Sequence, residues 1–212
     1  MNETVAQTIN GILVVKTKTD SYSKTTRYID SSQGLILDIL EEYQDKTIFT
    51  KYKSNGLEPQ QIEVSTKNKK TTYQGDGKTP IFIQETDLNS INTTYFRADG
   101  KTIEKIKTQE TAGLTKTFYY QDDGFTPLKL VEMDTDGMTK TTVYDLSGNH
   151  ISSIQEDLSD GSILKTYYRP NGSIEKTHLS LIKGLLKSDI KETIYDPSGK
   201  KKISEIIISA NP

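Results

Sequence analysis

Apolar and polar positions alternate along the chain in short runs, and turn residues break the runs at regular intervals. Lys140–Gly148 reads Lys-Thr-Thr-Val-Tyr-Asp-Leu-Ser-Gly, and the same order returns at Lys165–Gly172 and Glu192–Gly199. Further copies end at Gly124, Gly100 and Gly77, and weaker ones at Gly56 and Gly34. From Gly34 to Gly199 these turn glycines are spaced 22, 21, 23, 24, 24, 24 and 27 residues apart. Gly11, 23 residues before Gly34, marks a ninth, incomplete unit. A second series, Gly113, Gly137, Gly161 and Gly184, follows 12 or 13 residues behind the first. About eight residues remain between turns, which is the length of a strand. Each unit is a β-hairpin that feeds the next. The pattern predicts an all-β protein, an antiparallel β-hairpin repeat array of about eight ~24-residue units in an elongated or curled meander sheet. Residues 1–23 read as N-terminal strands or an incomplete cap repeat, 24–208 as the repeat domain and 209–212 as a tail.

Counting back from each turn glycine separates the two faces. Position −4 holds Tyr52, Tyr73, Phe96, Tyr120, Tyr144, Tyr168 and Tyr195, with Tyr28 equivalent in the Gly34 unit. Position −6 is mostly threonine and shares that face, because strand side chains alternate. Position −5 points the other way, with Lys51, Thr72, Tyr95, Tyr119, Val143, Tyr167 and Ile194. The second strands carry Ile103-x-x-Ile106, Ile151-x-x-Ile154 and Ile203-x-x-Ile206. That spacing departs from period two and predicts a bulge or strong twist. Stacked units then form a tyrosine ladder beside an isoleucine ladder, each cross-strand pair contributing ~0.2–1 kcal/mol. Asp-Pro-Ser-Gly at 196–199 and Arg-Pro-Asn-Gly at 169–172 predict type I turns closed by a glycine bulge. Gly56, Gly77, Gly100, Gly124, Gly148, Gly172 and Gly199 are the structural turn glycines. Leu35–Tyr43 also fits a short helix, but the repeat register makes it a strand.

Composition narrows the function classes. Apolar residues make up 33% of the chain, which points to thin or one-sided burial rather than a thick core. Net charge is −2 with both signs interspersed, so no nucleic-acid footprint stands out. The chain has no cysteine, which excludes disulfides and thiolate chemistry. No apolar run is long enough for a transmembrane helix, so membrane insertion is not expected. Met1–Asn10 lacks the basic end and apolar run of a signal peptide. An exported protein with its signal removed and a cytoplasmic protein both remain open.

Candidate chemistry is sparse. His150 and His178 fall in different units and read as exposed strand residues. Asp134-Thr-Asp-Gly137 and Asp157-Leu-Ser-Asp-Gly161 resemble fragments of calcium loops, but the full ligand set is missing, and hairpin turns account for them. No nucleophile elbow or P-loop appears. The expectation is a non-enzyme without cofactor or metal.

The repeat resembles three bacterial hairpin-repeat families. Tyr144-Asp-Leu-Ser-Gly148 and Tyr195-Asp-Pro-Ser-Gly199 match the YD repeat of Rhs-type toxin shells. Tyr167-Tyr-Arg-Pro-Asn-Gly172 is similar to the MORN-variant, antitoxin-type repeat. Phe96–Ile103 is similar to a phytoplasma repeat with the pattern Tyr-x-x-Asp-Gly-Lys-Thr-Ile. The resemblance spans residues 24–208. It implies hairpin repeats and an antitoxin-like or effector-like binding module. The leading expectation is therefore a scaffold that binds a protein partner through an extended sheet surface. Tyr73, Phe96, Tyr120, Tyr144, Tyr168 and Tyr195 form its candidate binding ladder. Glycan or cell-surface binding by that ladder is the alternative, and an enzyme a third. Strands near Ile12–Thr19 and Ile203–Ile208 would expose pairing edges, making an edge-strand homodimer a further expectation, with Lys200-Lys-Lys202 as a guard.

Overall fold

A computed structural model describes residues 3–10, 12–30, 34–183 and 187–208. Gly11, Gly184 and the tail at 209–212 lie outside the described residues. The chain is all-β, with no helix among the described residues. It divides into two compact units, Met1–Ile103 and Glu104–Pro212.

The first unit runs β1 (Glu3–Ile9), β2 (Ile12–Lys18), β3 (Tyr22–Asp30), β4 (Leu35–Tyr43), β5 (Thr47–Tyr52), β6 (Pro59–Ser65), β7 (Lys69–Gln74), β8 (Pro80–Thr86) and β9 (Ser90–Phe96). Each strand pairs antiparallel with the one before it. The second unit contains β10 (Ile103–Glu110), which starts at the boundary residue, β11 (Thr115–Tyr120), β12 (Pro127–Met133), β13 (Thr139–Tyr144), β14 (Ile151–Asp157), β15 (Ile163–Tyr168), β16 (Ile174–Lys183), β17 (Lys187–Tyr195) and β18 (Lys202–Ile208). It repeats the same meander. Leu35–Tyr43 is a strand, as the register requires.

No apolar side chain is buried among the described residues. The buried residues are polar, and the threonines among them mark a row. Thr26, Thr71, Thr142, Thr166 and Thr193, all at position −6 or its equivalent, are between 6% and 8% exposed. In the second unit one row crosses every strand: Ile106, Phe118, Leu130, Thr142, Ile154, Thr166, Thr177, Thr193 and Glu205. Larger side chains flank the small threonines and shut water out, while staying half-open themselves. Such rows are the unit of sheet stability when no second layer covers the face. On the opposite face of the first unit Thr72 is fully buried, and its hydroxyl has no hydrogen-bond partner.

The expected bulge is present and recurs. Register slips between positions −5 and −4 of the first strand, at Thr72/Tyr73, Tyr119/Tyr120, Val143/Tyr144, Tyr167/Tyr168 and Ile194/Tyr195. The extra residue lies on the second strand. Ile151 therefore faces Tyr144 while Ile154 faces Thr142, and a three-residue spacing delivers both isoleucines to one face. The last unit breaks the rule. Lys202 and Glu205 take the places opposite Tyr195 and Thr193, so Ile203-x-x-Ile206 is out of phase with the isoleucine ladder expected there. Lys200 and Lys201 fill the same two turn places as Asn149 and His150, so Lys202 takes the position of Ile151 and the isoleucines come one residue later, which in a strand exchanges faces.

Turns stack along one end of each unit. All seven predicted turn glycines have positive φ, between 65° and 80°. At Gly148 the amide donates to the Asp145 carbonyl at 3.0 Å, the hydrogen bond of a type I turn. The side chain at position −3 then reaches the next unit's turn. Gln74 donates to the Ala98 carbonyl at 3.0 Å and Gln121 to the Leu146 carbonyl at 2.9 Å. Arg169 donates to the Tyr195 carbonyl at 2.9 Å and the Asp196 carbonyl at 3.0 Å. The stacking leaves no room at Gly148, where a Cβ would lie 2.7 Å from Thr126 Cγ2 and 2.8 Å from Pro127 Cδ. At Gly172 a Cβ would meet nothing within 4 Å.

These two glycines separate strain from crowding. Gly172→Ala should cost about 1–2 kcal/mol, the penalty of a left-handed residue with a Cβ. Gly148→Ala should cost clearly more, because the neighbouring turn must also move. Urea denaturation of both variants checks the order; equal losses would show that the turns do not pack on one another.

Candidate functional site

The predicted ladder residues lie where the alternation places them. Tyr73, Phe96, Tyr120, Tyr144, Tyr168 and Tyr195 are all half-buried. Tyr73 sits opposite Pro80, Tyr120 opposite Pro127, Tyr144 opposite Ile151, Tyr168 opposite Ile174 and Tyr195 opposite Lys202. Each ring lies at the bulge, beside the stacked turns. These tyrosines pack on their own hairpins and keep one side in water, an arrangement that suits an apolar ring with a polar tip.

The other face carries aromatic residues that the ladder pattern passes over. Phe82 and Tyr95 pack with ring centroids 5.7 Å apart in the first unit. In the second unit Tyr119 and Tyr167, at position −5, share one row with Lys105, Lys129 and Lys176. Lys129 Nζ lies 4.5 Å from the centre of the Tyr119 ring, and Lys105 Nζ lies 5.8 Å from it. Lys165 and Lys176 stand 4.9 Å and 5.3 Å from the Tyr167 ring. The sequence signal was a lysine four or five residues after the turn glycine, as at Lys105, Lys129 and Lys176. Only the strand register shows that it meets a tyrosine of a neighbouring strand, the following one for Lys105 and the preceding one for Lys129 and Lys176.

A second aromatic pair was also missed. Tyr22 and Tyr43 pack with centroids 5.0 Å apart, and Lys46 lies 5.2 Å from the Tyr43 ring. They line an open cleft of about 440 Å³ together with Asp20, Ser23 and Glu42. Tyr22 donates its hydroxyl to Glu41 at 2.7 Å. Desolvation, followed by that bond and the Glu41 charge, pushes its pKa up to about 12.

The two histidines stay apart in role. His150 is exposed, with Nδ1 3.2 Å from Asp145 Oδ2. His178 is half-buried rather than exposed. Its Nε2 meets Glu192, and its ring stands edge-on to Tyr167 at 5.1 Å. Glu192 also receives Lys176 at 3.2 Å. The hydrogen bonds of His178 and Lys176 hold its carboxyl below the ordinary range.

Of the aspartates that resemble calcium-loop fragments, Asp134 and Asp160 serve their own turns, and Asp157 binds the neighbouring strand. Asp134 accepts the amides of Asp136 at 3.0 Å and Met138 at 2.9 Å. Asp157 accepts the Thr139 hydroxyl at 2.6 Å, and Asp160 the Ser162 amide at 2.8 Å. Asp76 and Asp99 each accept two backbone amides and a threonine hydroxyl. Asp145 accepts the Ser147 hydroxyl at 2.7 Å.

The fold defines a β-hairpin repeat protein. No protein-family model matches the chain, and no curated protein is similar to it.

The turn aspartates make stability depend on acid. Hydrogen bonds to Thr79, Thr102 and Ser147 come first in holding Asp76, Asp99 and Asp145 at about 2. An unfolded aspartate titrates near 3.9, so this contribution is complete above about pH 4 and is lost as the pH falls toward 2. A triple Asp→Asn variant at these sites should lose less of its urea midpoint between pH 5 and pH 2.5 than the native chain does. Equal losses would contradict this role.

Proposed function

We propose that the chain is a non-catalytic repeat scaffold that binds a protein partner along its sheet, with β18 as the principal contact. One observation carries the reading. Ile203, Ile206, Ile207 and Ile208 are 63%, 52%, 64% and 54% exposed. Contiguous exposed apolar side chains on a soluble surface mark interaction sites. Within its unit β18 pairs with β17 alone, so a partner strand can add along the second edge by main-chain hydrogen bonds. Isoleucines on both faces of β18 then clamp the added strand from above and below. The expected lysine guard is weak here, because Lys202 is tied to Glu205, which Lys191 also reaches at 3.1 Å. The half-buried ladder tyrosines contribute a flanking surface rather than the anchor.

The test uses the tagged full chain in lysates of its own cells and of a plausible host, followed by binding of each captured protein to the purified chain. A stoichiometric partner is expected. Ile206→Lys with Ile207→Lys should weaken it at least tenfold, with the circular dichroism of the sheet unchanged. A Tyr120→Ser, Tyr144→Ser, Tyr168→Ser variant should bind more nearly like the native chain. No stoichiometric partner, or full binding by the isoleucine variant, would overturn the reading. A partner that is a second copy of this chain would redirect it to edge-strand dimerisation.

A further inference from the structure

Strand alternation sorts the lysines of the second unit into two populations. On the face of the threonine row, Lys116, Lys140 and Lys191 each reach a carboxylate: Glu110 at 3.4 Å, Glu156 at 3.2 Å and Glu205 at 3.1 Å. On the opposite face Lys129 and Lys165 have no carboxylate partner among the described residues. Their ammonium groups rest on Tyr119 and Tyr167 instead. The carboxylates of that face are already engaged, Asp157 by Thr139 and Glu192 by Lys176 and His178. The first face thus pairs these three lysines with carboxylates; on the second Lys176 is paired with Glu192, while Lys129 and Lys165 keep their charge over a tyrosine ring.

We infer that this second face binds an acidic polysaccharide lying across strands β10–β16. A cation resting on a ring at the protein surface gains only ~0.5–1 kcal/mol, so the tyrosines position the ammonium groups without satisfying their charge. Tyr119 and Tyr167 occupy one row four strands apart, a separation of about 19 Å at ~4.8 Å per strand. Val143 and Ser153 lie between them in the same row and are uncharged. The result is two cationic posts joined by a level, neutral floor, which suits a linear polymer with repeated carboxylate or sulfate groups. A peptide fits less well. The row runs across the strands, where the sheet has spent its backbone donors and acceptors on its own ladder, so no strand can be added. Single-stranded nucleic acid fits less well too, since bases need free ring faces to stack on and ammonium groups occupy these.

The site is separate in kind from the β18 edge and does not depend on a protein partner being found there. Fluorescence anisotropy of the full chain with labelled polygalacturonate tests it, with dextran, oligo-dT and polyglutamate as comparison polymers. Polygalacturonate should bind, more weakly as salt rises. Lys129→Gln with Lys165→Gln should cost at least tenfold, and Lys129→Arg with Lys165→Arg should retain binding. Lys116→Gln with Lys140→Gln makes the same charge change on the other face and should leave binding within twofold. The inference is overturned if polygalacturonate does not bind, or if the two glutamine variants lose equally. It is overturned too if dextran binds as well, or if oligo-dT or polyglutamate binds as tightly as polygalacturonate.

Discussion

With no apolar side chain buried among the described residues, each hairpin depends on the hairpins beside it. Shelter comes from cross-strand rows, in which a small threonine sits among its neighbours as Thr142 does between Leu130 and Ile154. Each such contact contributes a fraction of a kcal/mol, so stability accumulates along each unit instead of concentrating in one centre. The turns set the spacing that keeps the rows aligned. Gly148 allows its own turn to close and also lets that turn approach Thr126 and Pro127 of the preceding one. The bulge at each ladder tyrosine completes the device, because it brings isoleucines three residues apart to the same face.

That geometry gives the two faces different side chains. One face carries the threonine row, the ladder tyrosines and lysines that are already paired. The other, in the second unit, carries lysines propped on tyrosine rings. The last strand adds a third kind of surface, an apolar edge. Surface ion pairs contribute little to stability, so the contrast between the paired Lys116, Lys140 and Lys191 and the ring-supported Lys129 and Lys165 matters more for what can bind than for how firmly the sheet holds.

Much of this was legible in the sequence, because the repeat carries its own ruler. Glycine spacing gave the hairpins, and counting back from each glycine put the tyrosines and threonines on one face. The isoleucine spacing gave the bulge. What the sequence could not give was register between strands, since a local pattern does not say which residue stands opposite which. For that reason Lys129 could not be matched to Tyr119, or Lys140 to Glu156. The displaced phase at Lys202 was hidden for the same reason: Ile203-x-x-Ile206 copies the motif, yet it begins one residue later, with Lys202 in the place of the first isoleucine, and so falls on the other face. In the first unit Tyr22 and Tyr43 meet only because β3 and β4 end together at Tyr22 and Tyr43, a juxtaposition that no repeat position marks.

Native-state hydrogen exchange, read strand by strand, tests most directly whether nearest neighbours hold this fold together. The account predicts graded protection within each unit, highest in the interior hairpins and falling toward β1 and β18. In the Gly148→Ala chain it predicts faster exchange confined to the hairpins around β12–β14, with β1–β5 unchanged. A uniform loss of protection over the whole chain would contradict it, because that would mean a single cooperative core governs the stability of every strand.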